Sequence, residues 1–410
     1  MNSQMKQRRA IVVGAGVVGT VTAEALWNRG YDVTVIEKNS QPAMATSAGN
    51  AGQLCAPFCL PFGSPGFLPG FFKKALAGLG VGASIKDVAG NMPWLMKFMR
   101  NCDRQSYRDN SGAMLRLARE SVGALHGLMR RHELDFGYRE NCGKLYLYGS
   151  ADALRAPTQL LELRRQMGFD VRVLDRRECS DIEPLLGQSR LDFAGGIYAS
   201  DSSVGDCALF TRQLARSLSD RGVAFKYDTP ARASVYHQGR LRGIRIADGI
   251  VEADIVVLTA AMGTRHLLPA RLRAAYPIAP LKGYSVTLPL LGPGPKGTIT
   301  DAQRAVAFSV LGDSLRITGG AYFSSSTAVP PGKVRRLLDV SRHWFPDLVR
   351  YDADAASQGW AGLRPVSPSS APYIGATDVP GLFINTGHGG FGWTCAAGSA
   401  QRLLAALEQT

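Results

Sequence analysis

A glycine-rich turn near the start of the chain constrains the fold more than any other stretch. Ile11, Val12 and Val13 are β-branched and apolar, as expected for a central strand buried on both faces of a parallel sheet. That strand runs directly into the segment Gly14-Ala-Gly-Val-Val-Gly19. The pattern predicts a strand, a tight turn and a helix that together bind the pyrophosphate of a dinucleotide.

The residues that follow the turn fit the same interpretation. Gly14 can form the tight turn, Gly16 leaves room for a phosphate near the backbone, and Gly19 lets a helix pack closely on the sheet. The helix is predicted from Val18 to Arg29, and the next strand ends at Glu37, 21 residues after Gly16. An acid at this spacing is typical of a residue that binds the ribose hydroxyls of an adenine dinucleotide. A glycine-rich turn without a ligand is the alternative.

The loop from Thr46 to Gln53 is a second candidate for ligand contacts. It comes soon after the second strand and is composed of small, hydroxylated and amide residues. Such a loop lets a ligand approach the backbone, although an ordinary flexible loop has the same composition. Its position after the predicted dinucleotide strand favours ligand contact.

The order of predicted strands and helices indicates two domains, one of them discontinuous. At 410 residues the chain is longer than a typical single domain. Dinucleotide-domain character returns later in the chain, so we assign residues 1–60, 195–270 and 359–410 to the first domain. Residues 61–194 and 271–358 form the second, in which strand-like runs between 276 and 323 predict an antiparallel sheet.

Charge and cysteine content limit the classes of function. The net charge is +14, which fits a solvated basic surface or attraction to an anionic membrane. No basic run is interleaved with stacking aromatic residues, so we do not expect nucleic-acid binding. The seven cysteines include no C-x-x-C pair, which favours reduced thiols in a cytoplasmic protein. No apolar stretch reaches ~18 residues, so no transmembrane helix is predicted.

Two stretches combine aromatic and basic residues. Residues 54–72 contain five phenylalanines and three leucines among many prolines and glycines, and periodicity predicts neither helix nor strand there. Residues 94–100 continue the same composition with Trp94, Lys97 and Arg100. These stretches are interpreted either as a lid and core packing or as an interfacial patch for membrane lipid or quinone.

The C-terminal region contains the best candidate for substrate binding. Arg364 precedes Pro365, which biases the arginine toward an extended backbone. An extended arginine suits bidentate binding of a carboxylate, and a surface salt bridge is the alternative. Residues 386–394 form a loop with four glycines ahead of a helix predicted from Cys395 to Glu408. The N-terminus of that helix would stabilise negative charge at the loop, such as that of a reduced flavin.

Seven separated motifs together resemble the FAD-dependent amino acid oxidoreductases, the family that includes D-amino acid oxidase and glycine oxidase. In chain order they are VVGAGVVG, TSAGNAGQ, MRNCD, GDCALFTRQLA, LKGYS, AGLRP and NTGHGGFGWT. Within the family, the likeness is strongest to the small subunit of the FAD-dependent D-amino acid dehydrogenases. The resemblance implies an α/β fold with a discontinuous, Rossmann-like FAD-binding domain and a substrate domain built on an antiparallel sheet.

The resemblance also implies roles for individual residues. Arg364 resembles the arginine that binds the substrate carboxylate, and Tyr284 and His388 would contribute to substrate binding, although each is also a candidate packing residue. The residues predicted to contact FAD are Gly14, Ala15, Gly16, Val17, Val18, Gly19, Glu37, Lys38, Thr46, Ser47, Asn50, Ala51, Gly52, Gln53, Ala231, Gly263, Gly387, His388, Gly389, Gly390, Phe391, Gly392, Trp393 and Thr394. No catalytic side chain and no metal ligand is predicted.

The reaction implied by the resemblance is oxidative deamination of a D-amino acid. Hydride would pass from the substrate Cα to flavin N5, and water would hydrolyse the imino acid to a 2-oxo acid and ammonia. Electrons would pass to a quinone or another respiratory-chain acceptor, with the protein in the cytoplasm or peripherally on the inner face of the cytoplasmic membrane. An oxidase that reduces oxygen and a non-catalytic flavin-bound assembly subunit are the alternatives.

Three positions depart from the family pattern. Ser369-Ser370 replaces an Asp-Gly pair, and Phe323 stands where the dehydrogenases often have a carboxylate. Both changes leave open a larger, cyclic or N-substituted substrate of the D-proline or hydroxyproline type. Gly390 stands where glycine oxidase has a second arginine, which argues against glycine oxidase itself.

Overall fold

Residues 7–158, 160–352 and 354–409 are described by a computed structural model of the chain. The strands are β1 Arg9–Val13, β2 Asp32–Ile36, β3 Gln53–Leu54, β4 Val81–Ala83, β5 Lys144–Tyr148, β6 Val171–Asp175, β7 Gly195–Ala199, β8 Ser203–Val204, β9 Ala224–Lys226, β10 Ala233–His237, β11 Arg240–Ile246, β12 Gly249–Glu252, β13 Ile255–Leu258, β14 Ala279–Pro289, β15 Thr298–Asp301, β16 Val306–Leu311, β17 Ser314–Phe323, β18 Trp360–Val366, β19 Tyr373–Ala376 and β20 Leu382–Thr386. The α-helices are α1 Val17–Asn28, α2 Phe67–Leu76, α3 Ile85–Gly90, α4 Met92–Arg100, α5 Arg104–His132, α6 Ala151–Thr158, α7 Leu161–Gln166, α8 Arg176–Ile182, α9 Cys207–Asp220, α10 Thr264–Leu267, α11 Ala270–Arg273, α12 Pro331–Trp344 and α13 Gly392–Leu407.

The glycine turn belongs to a six-stranded sheet with the strand order β19-β20-β13-β1-β2-β9. All neighbours in this sheet are parallel except β19, which pairs antiparallel with β20. Apolar side chains of α1, α5, α9 and α13 pack together on one side, and the small antiparallel sheet β10-β11-β12 contributes to the cluster on the other. Since β1, β13 and β20 come from distant parts of the chain, this Rossmann-like body is discontinuous, as predicted.

The second sheet has the strand order β18-β14-β17-β16-β15-β5-β7-β6, with β4 added beside β17. Its pairs are antiparallel except β5 with β15 and β4 with β17, which are parallel. The predicted antiparallel sheet is therefore present, within a mixed sheet. Together the two sheets confirm the predicted α/β fold class.

The two faces of the second sheet differ in chemistry. One face carries Leu145, Ile299, Phe308 and Ile317, which pack against apolar residues of α12. The strand register places polar residues on the opposite face, which we call the site face. They are Lys144, Thr298, Thr300, Ser309, Arg316, Thr318, Ser285 and Arg364. Alternation along each strand thus separates an apolar core from a polar surface that is turned toward another part of the protein.

Several predicted elements are corrected by the structure. Strands β7 and β18, assigned to the dinucleotide-binding domain from sequence, pair within the second sheet. Residues 67–72, for which periodicity predicts neither helix nor strand, lie within the helix α2. The reason in each case is tertiary context, because strand partners and packing surfaces distant in sequence decide these assignments.

All seven cysteines are free thiols. Among the residues that the structure describes, no helix combines the length and apolarity needed to cross a bilayer.

Candidate active site

The glycine turn has the geometry that a close-approaching ligand requires. Gly14 has a φ of +107°, and its N–H donates to the carbonyl of Ile36 at 2.8 Å, which closes the turn against β2. A Cβ on Gly19 would lie 1.8 Å from the carbonyl oxygen of Gly14, so only glycine fits there. A Cβ on Gly16 would meet nothing closer than the Ser47 hydroxyl at 3.4 Å. Gly19 therefore serves packing, whereas Gly16 leaves open space at the N-terminus of α1.

The N-terminus of α1 is free to bind an anion. Its cap residue makes no side-chain cap bond, and its first turn contains no acidic residue. Val17 N–H donates to the Ser47 hydroxyl at 3.1 Å, which brings the predicted 46–53 loop against the helix. Backbone N–H groups and the helix dipole at such an end favour a phosphate.

Glu37 lies at the end of β2 and is almost fully buried. One carboxylate oxygen accepts from Ala15 N–H at 2.7 Å, and the other accepts from the Asn39 backbone N–H at 2.9 Å and from its side-chain amide at 2.6 Å. The Glu37 carbonyl accepts from Thr229 N–H, which holds the turn before Ala231 beside the same strand end. Each carboxylate oxygen has more than one lone pair, so these bonds fix the acid in place without excluding a ribose hydroxyl. Lys38, the next residue, is exposed.

The 46–53 loop is anchored to the second sheet on one side and to α1 on the other. Thr46 donates to the carbonyl of Leu363 in β18 at 2.9 Å. Arg316, in β17, donates to the carbonyls of Ala48 and Asn50 at 3.2 and 2.9 Å. Gly52 N–H donates to the Asn50 side chain at 2.8 Å, which makes a tight local turn around Ala51, just before Gln53. The loop therefore lies between the glycine turn and the site face.

The C-terminal glycine loop closes the other side. Helix α13 begins at Gly392, three residues earlier than predicted, because the loop residues Gly389–Phe391 already form a 3-10 turn that leads into it. Trp393 and Thr394 donate to the carbonyls of Gly52 and Gln53, each at 3.3 Å. No side chain caps α13 and its first turn has no acid, so its N–H groups face the space beside the 46–53 loop.

Three buried polar atoms near this loop have no partner among the described residues. They are Asn385 Oδ1, Thr386 Oγ1 and His388 Nε2. Burial without a hydrogen bond costs ~1–3 kcal/mol per group, so such atoms are expected to meet a ligand or water. With Gly387 and Gly389 at φ of +86° and +56°, the loop turns its backbone tightly at this point.

The remaining predicted cofactor residues lie at the same edge. Gly263 follows β13, and Thr259, just after that strand, donates to the carbonyls of Val13 and Gly14 at 2.8 and 3.2 Å. The carboxyl ends of β1, β2, β13 and β20 meet here. This crevice beyond the strand ends is where open α/β sheets bind their ligands.

Arg364 extends across the site face. Its Nη1 donates to the carbonyl of Gly320 in β17 at 2.8 Å, so the side chain crosses β14 to reach that strand. Gly283 makes the crossing possible, because a Cβ there would lie 2.3 Å from the Arg364 guanidinium. No carboxylate of the described residues lies within ion-pair distance of Arg364. Burial lowers the pKa of Arg364 to about 10, which still leaves it a cation at neutral pH.

The other two predicted substrate residues differ from Arg364. Arg364 pairs with Leu281 across β14 and β18, so Tyr284 points to the opposite face of the sheet. It packs there in the apolar cluster, 5.6 Å between ring centroids from Tyr322. The expectation that Tyr284 lines a pocket with Arg364 is therefore wrong. His388 lies beside β18 through its bridge to Val366, and burial lowers its pKa to about 3. It is a neutral imidazole in the physiological range.

Sequence reasoning missed several residues of the site face. Lys144 and Arg316 were overlooked because single cations in strands are usually exposed. Sequence reasoning also missed Trp360. Its ring lies so close to the 46–53 loop that a Cβ on Gly49 would be 2.0 Å from it. The sequence does contain a signal for these residues. Lys144 and Tyr146, and likewise Arg316 and Thr318, are two positions apart in a strand, so each pair lies on one face of the sheet.

The family model described as FAD dependent oxidoreductase matches residues 9–407. The chain belongs to this family.

Solved structures of the family share its fold. Glycine oxidase from Bacillus cereus ATCC 14579 matches with a TM-score of 0.73 at 20% identity, over 98% of this chain and 95% of that one. L-proline dehydrogenase from P. horikoshii matches with a TM-score of 0.73 at 16% identity, over 98% and 94%. L-amino acid deaminase from Proteus vulgaris, with its specific insertion deleted, matches with a TM-score of 0.69 at 20% identity, over 99% and 91%.

The residues of the crevice fit FAD, the cofactor of the family. The α1 N-terminus and Gly16 suit the pyrophosphate, Glu37 suits the adenosine ribose, and the α13 N-terminus suits the electron-rich part of the ring. The orphaned polar atoms of residues 385–388 require a polar partner of this kind. The oxidoreductase is therefore an FAD-dependent enzyme, and the crevice beyond the strand ends has residues that fit its cofactor.

Proposed function

We propose that this oxidoreductase dehydrogenates a D-amino acid to a 2-oxo acid and ammonia and passes the electrons to a quinone. The observation that carries the proposal is Arg364, a partly buried cation that has no carboxylate partner among the described residues and lies on the face turned toward the cofactor crevice. A guanidinium that is withdrawn from water without a carboxylate partner favours binding of an anion, and the planar fork of its N–H donors matches a carboxylate. The fold neighbours named glycine oxidase, L-proline dehydrogenase and L-amino acid deaminase add support for an amino acid substrate.

The chain's own residues orient the substrate. Arg364, held at one end by the Gly320 carbonyl, fixes the α-carboxylate and thereby the position of Cα. FAD, when bound, supplies the acceptor for the hydride that leaves Cα. His388 stays neutral, so it donates or accepts a hydrogen bond without adding charge. A substrate amine that arrives neutral needs no side-chain base, so positioning and electrostatics are the protein's contributions.

The proposed acceptor rests on an exposed surface beside the Arg364 end of the site. We call it the apolar-basic surface. Its exposed apolar residues are Leu68, Phe72, Leu76, Ile85, Met92 and Met96, and its exposed cations are Lys73, Lys86, Lys97 and Arg100. Leu76 and Ile85 are each 89% exposed, which is unusual for large aliphatic residues. Apolar side chains ringed by lysines suit an anionic membrane surface, where a quinone is available.

The inner side of the same elements borders the site. Trp94 and Phe98 of α4 pack with Leu281, Val366 and Phe323, three residues on the face that carries Arg364. The Trp94 indole donates to the Val366 carbonyl at 2.8 Å. An acceptor held on the apolar-basic surface would therefore lie one layer of side chains from the substrate site.

The decisive test of the reaction is anaerobic. Purified enzyme saturated with FAD is mixed with D- and L-amino acids, D-proline included, and bleaching of the flavin absorbance is recorded. We expect bleaching by D-amino acids and its loss in Arg364→Ala, with Arg335→Ala, an exposed arginine of α12, as the matched control. Bleaching by no amino acid, or unchanged apparent affinity in Arg364→Ala, would contradict the proposal.

A second test concerns the acceptor. We expect turnover with a soluble quinone to exceed turnover with oxygen, and co-flotation with vesicles containing anionic lipid. Leu76→Ser with Ile85→Ser should abolish flotation, whereas Leu291→Ser, an equally apolar change at a residue 57% exposed elsewhere, should not. Stoichiometric peroxide without quinone reduction would identify an oxidase instead.

A further inference from the structure

Lys144 is the unexplained cation of the site face. It is 3% exposed, and its Nζ donates to the Thr300 hydroxyl at 2.9 Å and to the side-chain oxygen of Gln53. The described residues thus give acceptors to two of its three N–H groups, and none of their carboxylates lies within ion-pair distance. A buried ammonium without a counter-ion is costly, and a core position would not keep it without a partner.

The surroundings of Lys144 do not supply the missing negative charge. Cys55 and Cys142 lie nearby, but burial raises the pKa of both thiols, so they are neutral. A second buried cation adds to the excess. The Phe58 ring centroid is 5.5 Å from Lys144 Nζ and 5.4 Å from Arg164 Cζ, and two nitrogens of Arg164 have no hydrogen-bond partner among the described residues. This end of the site face therefore holds two basic side chains, Lys144 and Arg164, that form no ion pair with the described residues.

The position of Lys144 relative to Arg364 matches the length of a substrate. The guanidinium of Arg364 lies at Gly320 in β17, and Lys144 Nζ lies at Thr300 in β15, with only β16 between those strands. Two strand spacings give ~10 Å across the sheet, and an offset of about two residues adds ~7 Å along it, or ~12 Å in total. In a substrate whose two carboxylate carbons are four bonds apart, each carboxylate would make a charge-assisted contact of ~2.8 Å. The two nitrogen atoms that bind such a substrate would then be ~11 Å apart.

Gln53 connects this cation to the cofactor crevice. Its side-chain nitrogen donates to the Ser309 hydroxyl at 3.1 Å, so its oxygen is left facing Lys144. Its backbone carbonyl accepts from Thr394 in the first turn of α13. The amide therefore aligns Lys144 on the side of the sheet where the proposed substrate lies.

We propose that the substrate is a dicarboxylic amino acid, of the length of D-glutamate, whose side-chain carboxylate is bound by Lys144 at the opposite end of the site from Arg364. This inference rests on the function proposed above and names the substrate class of that site. Thr300 and Gln53 hold the ammonium, and Arg164 adds positive charge behind Phe58.

The test compares three straight-chain substrates of similar length. Anaerobic flavin reduction is measured with D-glutamate, D-glutamine and D-norvaline for the wild type, Lys144→Met and Lys144→Arg. We expect the wild type to prefer D-glutamate, and Lys144→Met to lose that preference by about 10- to 100-fold while D-norvaline changes little. Lys144→Arg should keep part of it. Lys282→Met, a buried lysine on the opposite face of the same sheet, is the matched control and should leave the preference unchanged.

A binding measurement gives a readout that does not need turnover. Glutarate, a dicarboxylate that cannot be dehydrogenated at an amine, should perturb the flavin spectrum of the wild type at lower concentration than pentanoate, and Lys144→Met should remove the difference. Amino acids that bleach the flavin without any preference for D-glutamate would overturn this inference and leave the proposed function intact. An equal loss for all three substrates in Lys144→Met would also overturn it, because it would show that Lys144 acts on the cofactor.

Discussion

At the scale of single residues, the site consists of two kinds of position. Some are glycines that leave no room for a larger side chain, and others are polar side chains withdrawn from water without a full set of partners. Gly19 and Gly283 are required by the close approach of a carbonyl and of a guanidinium. Arg364, Lys144 and His388 are buried polar groups whose hydrogen-bonding or charge is incomplete within the described residues. Sequence reasoning found the glycine turn and Arg364, since each lies in a local pattern. It could not find Lys144 or exclude Tyr284, because only the strand register shows which face each side chain occupies.

Two of the three glycines of the turn, Gly16 and Gly19, should separate folding from cofactor binding. Gly19→Ala forces a Cβ against the Gly14 carbonyl, so we expect a loss of about 1–3 kcal/mol in the free energy of unfolding. Gly16→Ala has room in the protein, so it should unfold like the wild type while binding FAD more weakly. Urea denaturation and FAD titration measure the two effects. Normal FAD affinity in Gly16→Ala would contradict the predicted phosphate position.

His388 should make stability depend on pH. Its pKa is about 3 in the folded protein, below the ordinary 6.5, so the folded state resists protonation. Its contribution to stability is full above 6.5 and decreases as the pH falls toward 3, with ~2 kcal/mol lost at pH 5. Urea denaturation of FAD-saturated wild type and His388→Gln at pH 7.5 and 5 tests this. The variant should lose less stability on acidification, and equal losses would show that His388 is not the titrating group.

At the scale of elements, the two sheets are joined at a few loops. Arg316, on the strand β17, holds the 46–53 loop, and Trp393 and Thr394 hold it from α13. The helix α1 was predicted closely, because the glycine pattern that precedes it is local in the chain. The sequence did not predict that β7 and β18 belong to the second sheet, because strand pairing joins residues far apart in the chain.

Removing the Arg316 contact should loosen the loop before it affects the sheet. Arg316→Met deletes the bonds to the carbonyls of Ala48 and Asn50, each worth ~1.5–3 kcal/mol at most because the donor is charged. We expect FAD affinity to fall by about tenfold or more and hydrogen exchange at residues 46–53 to accelerate. Thr287→Val, which removes only the hydroxyl that supports Arg316, should have a smaller effect. Unchanged exchange in Arg316→Met would contradict the anchoring role.

At the scale of the whole molecule, the protein has two principal cores with a polar region between them. One core contains α1, α5, α9 and α13, and the other lies between the second sheet and α12. The polar site face and the glycine-rich loops lie between these cores, and a further apolar cluster joins α5 and α13 to β6 and β7 of the second sheet. FAD, bound in that region, is expected to contribute much of the connection.

Removal of FAD should therefore weaken the coupling between the two cores. Calorimetry of the flavin-free protein should show a lower midpoint and two transitions, whereas FAD in excess should merge them and stabilise the folded state by ~2.7 kcal/mol at 100 times its dissociation constant. Intrinsic tryptophan fluorescence gives an independent record, since Trp393 belongs to the first core and Trp344 to the second. A single transition without FAD would show that protein contacts alone couple them.

The two-sided chemistry of the second sheet has an evolutionary consequence. Along each strand, every other residue faces the site and can be substituted to suit a different substrate. Its immediate neighbours continue to form the apolar core beneath α12. Selection for substrate and selection for folding then act on interleaved but separate sets of positions. Such a scaffold could diversify in what it oxidises with little penalty to its solubility or yield.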